Sequence, residues 1–229
     1  IKVLENKSIA DVPYFKAMDA PCGLKGGDKN DLCVVYSEKP CTAAGTFTTN
    51  KVKAAPVLLN MEHIKSKNIY AITANSGNAN ACTGDDGYKK ASIMAETAAK
   101  YLNIKPEEVL VASTGVIGVP LPIDNVVSGI KKVFSLFPNS SGEEAIKGIM
   151  TTDTIQKKIC IEFTLDSKKV TIGAIAKGSG MIHPNMATML SFVGTDANIS
   201  KEMLSKALKE SVKDSYNMIS VDRDTSTNC

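Results

Sequence analysis

Tryptophan is absent from this sequence, histidine occurs only at His63 and His183, and none of the six cysteines forms a C-x-x-C pair with another. Two histidines and the scattered thiols of Cys22, Cys33, Cys41, Cys82, Cys160 and Cys229 leave a zinc site almost no ligands, so no metal is expected. Reduced thiols in a cytoplasmic protein are the expectation for a chain too large to need stapling. No apolar run approaches the ~20 residues a bilayer crossing needs, and "IKVLENKSIADVP" lacks the basic-then-apolar plan of a signal peptide. A soluble protein with no membrane partner follows. Charge of one sign is also scarce: 27 Lys+Arg against 24 Asp+Glu give a net charge of +3, without a basic stripe, so no nucleic-acid partner is expected. "GSG" at 178 to 180 lacks the third glycine of a dinucleotide fingerprint, and no G-x-x-x-x-G-K-[ST] occurs.

What is present is a chain of mixed α and β character with no repeat or linker. Runs rich in β-branched residues, "LCVVY" at 32 to 36, "IYAITA" at 69 to 74 and "EVLVAS" at 108 to 113, each lead into loops dense in Gly, Asn, Thr and Pro. Helical spacing predicts helices over Tyr88 to Leu102, Ile123 to Leu136 and Glu143 to Met150. "ICIEFTL" and "KVTIGAIA" read as a hairpin, and "TMLSFV" as a further strand beginning at Thr188. Ser200 is placed to cap a helix carrying Leu204, Leu208, Val212 and Tyr216, a stripe expected to pack in the core and to end near Asn217.

Four loops carry the chemistry: "NSGNANACTG" (75 to 84), "STGVIG" (113 to 118), "TTDT" (151 to 154) and "KGSGMIHPNMAT" (177 to 188). Any one of them can be read as a set of turns with positive φ. Thr188 has two readings. It is a β-branched strand residue, or it is a nucleophile whose base is its own α-amine, released by cutting the bond to Ala187. A free α-amine titrates at about 7.7 to 8.0 and can both take and return a proton near neutrality. The glycines and Asn185 upstream suit a strained approach of the hydroxyl to the Ala187 carbonyl.

Taken together, "CTAAGTFTTNKVKAAPV", "NSGNANACTG", "VLVASTGVIG", "IMTTDT", "KGSGMIHPNMATML" and "DTSTN" occur in the order and approximate spacing of the ornithine acetyltransferase (glutamate N-acetyltransferase) family of arginine biosynthesis, which the chain closely resembles. The resemblance implies an α+β fold of layered αββα type, akin to the self-cleaving N-terminal nucleophile aminopeptidases. It implies a single domain over 1–229 that is incomplete at its C-terminus, processed at Ala187-Thr188 into 1–187 and 188–229. It further implies Thr188 as nucleophile, Thr114 and Gly115 as oxyanion hole, and Thr151, Lys177 and Thr188 as substrate contacts. N-acetylornithine and glutamate are the implied substrates, with acetyl-CoA an open alternative donor. No cofactor is implied, and the assembly would hold two alpha and two beta chains. An amidohydrolase or aminopeptidase passing the same acyl group to water is the rival reading. Arg223 stands where the family pattern has glycine and Cys229 where it has aspartate.

Overall fold

Alternating branched and small apolar residues build a first sheet from β2 (Phe15–Ala20), β3 (Leu32–Cys41), β4 (Ile69–Asn78) and β5 (Val109–Val116), in that order. The computed structural model describes residues 1–137, 145–184 and 188–228. β2, β3 and β4 pair antiparallel, whereas β4 and β5 run parallel, joined by the crossover helix α2 (Gly84–Leu102). Together with α1 (Ala55–His63) and α3 (Ile123–Leu136), α2 covers one face of this sheet. Val34, Ala71, Val109 and Val111 there meet Met94, Ala95, Ala98, Val126, Ile130 and Val133. The small residues on α2 allow its backbone to lie close to the strands.

The other face, presenting Cys33, Val35, Ala74 and Ala112, packs on Ile175, Leu190 and Phe192 of a second sheet. That sheet is antiparallel throughout, in the order β1 (Lys2–Val3), β6 (Lys157–Leu165), β7 (Lys168–Lys177), β8 (Leu190–Thr195). Helices, sheet and sheet thus stack as layers with two apolar seams, the α+β sandwich that the resemblance implies. Ile159, Leu165 and Val193 alternate outward from the second sheet and are 50%, 57% and 56% exposed.

β5 is an edge strand, but its edge is occupied. Asn60 of α1 donates from Nδ2 to the Val111 carbonyl (2.7 Å) and accepts the Val111 N–H at Oδ1 (2.9 Å), while His63 Nδ1 lies 2.8 Å from the Val109 carbonyl.

Three expectations need correction. Residues 145–149 form turns rather than a helix, and Glu143 lies outside the described residues. The reason is tertiary: Gly148 lies so close to β3 that a Cβ would come 2.5 Å from the Leu32 carbonyl oxygen, and its N–H is held by Asp19 at 2.9 Å. Thr188 does not begin a strand, since β8 starts at Leu190. The helix capped by Ser200, α4 (Lys201–Lys213), stops short of Asn217 and buries only Val212, leaving Leu204, Leu208 and Tyr216 half-buried. β2 and α1 carry no expectation. α1 begins on Ala54, Ala55 and Pro56, small and fixed residues whose apolar pattern has little periodicity.

Candidate active site

The C-terminal ends of the parallel pair β4 and β5 converge on two glycines. Gly115 has φ +137° opposite Gly77 with φ +102°, and a Cβ on Gly115 would sit 2.4 Å from the Gly77 carbonyl carbon. Only glycine permits this approach. It leaves Thr114 buried at the seam between the sheets, where its Oγ1 is 3.0 Å from Nζ of Lys177, itself buried at the end of β7. An ammonium can only donate, so the hydroxyl accepts and keeps its own hydrogen for another acceptor.

Buried amides hold the frame around Thr114. Asn75 accepts from Ser113 Oγ at 2.6 Å and donates to the Asn78 carbonyl at 2.9 Å. Asn78 holds the Val119 carbonyl (3.0 Å) and the Asn80 N–H (2.8 Å), and Asn80 reaches Gly87. The loop "DTSTN" closes the rim: Thr48 Oγ1 donates to the Ser226 carbonyl (2.8 Å), Ala54 N–H to the Thr227 carbonyl (2.9 Å), and Asn228 to the carbonyls of Ser113 (2.8 Å) and Ala79. "NSGNAN" is therefore a scaffold for Thr114 and Gly115.

Thr188 stands two residues before Leu190, the partner of Lys177 in the β7–β8 ladder. Its hydroxyl oxygen is buried and has no hydrogen-bond partner among the described residues, while its N–H donates to the Met181 carbonyl at 3.1 Å. Ala187 lies outside the described residues. The Met181 turn is pinned from the far end of the chain: the Asp222 carboxylate accepts the N–H groups of Met181 (2.9 Å) and Ile182 (3.3 Å), and Ile182 pairs with Val221. Asp222 and Arg223 both have left-handed φ, +60° and +64°. A left-handed φ at 223 is the conformation that favours glycine, the residue the resemblance leads one to expect there.

Thr151 lies exposed in the loop before β6 and is joined to the rest through Asp153. Burial works to raise the Asp153 carboxyl, but hydrogen bonds from Lys157, Gly178 N–H and Thr151 N–H, with the Lys157 charge, outweigh it and hold the group below its ordinary value. Burial pushes Lys25 down; Asp31 and Asp19 oppose the shift, and the positive Lys177 adds to it, so the two ammonium groups feel each other. Thr114, Lys177 and the β7 to β8 turn bearing Thr188 are thus brought together, whereas Thr151, exposed, is tied to the exit of β7 through Asp153. Asp153, Asp222 and Lys25 are the additions. Asp153 and Asp222 lie in or beside quoted motifs, but their partners are distant in sequence; nothing in the sequence singles out Lys25. No cluster of three metal-ligating side chains occurs among the described residues.

The family model described as "ArgJ family" matches residues 16–229. The chain belongs to the ArgJ family. It is 77% identical over 228 residues to the arginine biosynthesis bifunctional protein ArgJ 1 of Clostridium acetobutylicum, a match covering 100% of this chain and 56% of that relative. The chain spans about half the length of the curated ArgJ relatives it matches. The ornithine acetyltransferase of Mycobacterium tuberculosis, solved in complex with ornithine, superposes with a TM-score of 0.74 at 34% identity, covering 82% of this chain and 99% of that one. At 10% identity and a TM-score of 0.53, the L-aminopeptidase D-Ala-esterase/amidase of Ochrobactrum anthropi covers 92% of this chain and 68% of its own; it shows the shared fold alone.

Proposed function

We propose that the protein moves an acetyl group from N-acetylornithine to glutamate through an ester on Thr188, after cutting itself between Ala187 and Thr188. The observation that carries this reading is the buried Thr188 hydroxyl, which has no hydrogen-bond partner among the described residues and is set on the turn that leaves the Lys177 end of β7. Family membership supports the acetyl chemistry.

In the cutting step the Thr188 oxygen attacks the Ala187 carbonyl, the C–N bond breaks, and water hydrolyses the resulting ester, leaving a free hydroxyl and α-amine on Thr188. In transfer that amine takes the hydroxyl proton while the oxygen attacks the acetyl carbonyl. The spare hydrogen of Thr114 and the N–H of Gly115 stabilise the oxyanion, and the proton passes to the departing ornithine amine. The glutamate amine then attacks the acetyl ester, and Thr188 regains its hydrogen. Lys177 supplies a buried positive charge suited to substrate carboxylate, and Thr151 a contact at the mouth of the site. Two long and two short pieces per assembly, and a cytoplasmic location, complete the proposal; native mass spectrometry tests the first.

The deciding experiment uses the full-length protein. Intact-mass measurement should find a chain ending at Ala187 and another beginning TMLSF, still associated. N-acetylornithine alone should release about one ornithine per site and add one acetyl mass to the short chain, with glutamate then discharging it. Thr188→Ala should do neither and Thr188→Ser some of both. Steady acetate release without glutamate, at the full turnover rate, would replace the transferase with the hydrolase. Acetyl-CoA in place of N-acetylornithine tests the bifunctionality in the relatives' name.

A further inference from the structure

The loop "TTDT" contains a carboxylate that the scheme above does not use. The Asp153 side chain is 0% exposed and accepts three hydrogen bonds, two from its own segment, Lys157 Nζ at 2.7 Å and the Thr151 N–H at 3.3 Å, and one from a distant strand end, the Gly178 N–H at 2.9 Å. Oδ1 takes Lys157 and Gly178, and Oδ2 takes Thr151. Lys157 already satisfies the charge, so the two backbone donors are what an ion pair alone would not require. One of them belongs to the loop of Thr151. The other is the residue after Lys177, at the point where β7 leaves the sheet. Gly178 is packed so tightly against the returning chain that a Cβ would lie 2.6 Å from Met189 Cγ and 3.3 Å from the Thr188 carbonyl oxygen.

We propose that Asp153 is a positioning residue for acyl transfer: by holding Thr151 and Gly178 at once, it fixes the substrate loop against the exit of β7, and with it the aim of Lys177 at Thr114 and the seat of Thr188. This rests on the roles given to those residues under the proposed function. A carboxylate is suited to the task because both oxygens accept. Asparagine offers one acceptor and one donor, so it can keep Gly178 or Thr151 but not both.

The test compares full-length wild type with Asp153→Asn, Asp153→Ala and Lys157→Gln. The rate of cutting at Thr188, kcat and KM per folded, cut site, and melting temperature by circular dichroism are measured together. Misplacing a reacting group by about 1 Å costs on the order of 100-fold, so Asp153→Ala should lower kcat by about that factor and slow cutting, with Asp153→Asn between it and wild type. Lys157→Gln removes the charge of a lysine that is itself 35% exposed but keeps a side-chain N–H able to donate to Asp153, and leaves both backbone donors in place, so it should stay within about fivefold of wild type. Unchanged kcat per folded, cut site in both Asp153 variants, with only the melting temperature lowered, would overturn the positioning role. So would an equal loss from Lys157→Gln, which would make the ion pair the operative element. A wild type that neither cuts itself nor transfers acetyl would overturn the parent reading and this one with it, whereas active wild type with indifferent Asp153 variants overturns this one alone.

Discussion

Gly115→Ala puts a methyl group where two strands already touch. The added Cβ would lie 2.4 Å from the Gly77 carbonyl carbon, 2.6 Å from the Asn78 nitrogen and 2.7 Å from the Gly77 oxygen, all backbone atoms that cannot rotate aside. Carbon atoms in contact sit about 3.5 to 4.0 Å apart, so the ends of β4 and β5 must separate by about 1 Å. A φ of +137° adds the strain of a conformation L-residues avoid, roughly 1 to 3 kcal/mol. Overpacking adds typically 1 to 3 kcal/mol. The sum, about 2 to 6 kcal/mol, corresponds at about 2 to 4 °C per kcal/mol for a chain of this size to a melting temperature lowered by at least several degrees. Gly118→Ala is the control. Its φ is +81° but no atom of the described residues lies within 4 Å of an added Cβ, so it should bear only the conformational part. Because the sequence has no tryptophan, melting is best followed by far-ultraviolet circular dichroism. The folded fraction of Gly115→Ala should also lose about 100-fold in kcat, since Thr114 and the Gly115 N–H move with the strand. A Gly115→Ala protein that melts no lower than Gly118→Ala and turns over normally would refute the close-approach argument.

Thr114→Ala should lower kcat by about 10²- to 10³-fold, the scale for one oxyanion donor; an effect confined to KM would instead mark it as an ordinary binding contact. Arg223→Gly should raise stability by a few tenths to about 1 kcal/mol, because Arg223 holds a left-handed φ of +64°; a drop in melting temperature would contradict this. The depressed carboxyl of Asp153 contributes stability at pH above its ordinary value near 3.8, and that contribution is lost as pH falls further, through the folded-state value. Melting curves of wild type and Asp153→Asn should therefore converge on acidification below about pH 3.8, and a constant gap down to pH 2 would argue against the shift.

β3, β4, β5, α2 and α3 are legible in the sequence because each has a consistent period and a clear stop, as where Asn103 turns left-handed at φ +54° to end α2. α1 is not, since its apolar residues have little helical period and its polar contacts, from Asn60 and His63, reach a strand about fifty residues away. The segment 145–149 shows the converse, a helical period overruled because Gly148 must lie flat on Leu32. At the candidate site, Thr188 is singled out by its chemistry, and Thr114 and Gly115 by the family resemblance of their motif. Asp153 and Asp222 could not, because the Gly178, Met181 and Ile182 amides they hold are 25, 41 and 40 residues away, and no local pattern encodes such pairs.

The side chain of Asn60 presents a donor and an acceptor to Val111 in the manner of a neighbouring peptide group, so β5 behaves as though one more strand were already in place. An intruding chain, whether another copy or a misfolded segment, must first dislodge Asn60 and His63 before it can add to this side of the sheet. Among the described residues the opposite margin of the first sheet is β2, and at β5 a helix side chain, rather than a proline or a surface charge, stands in the way of strand addition.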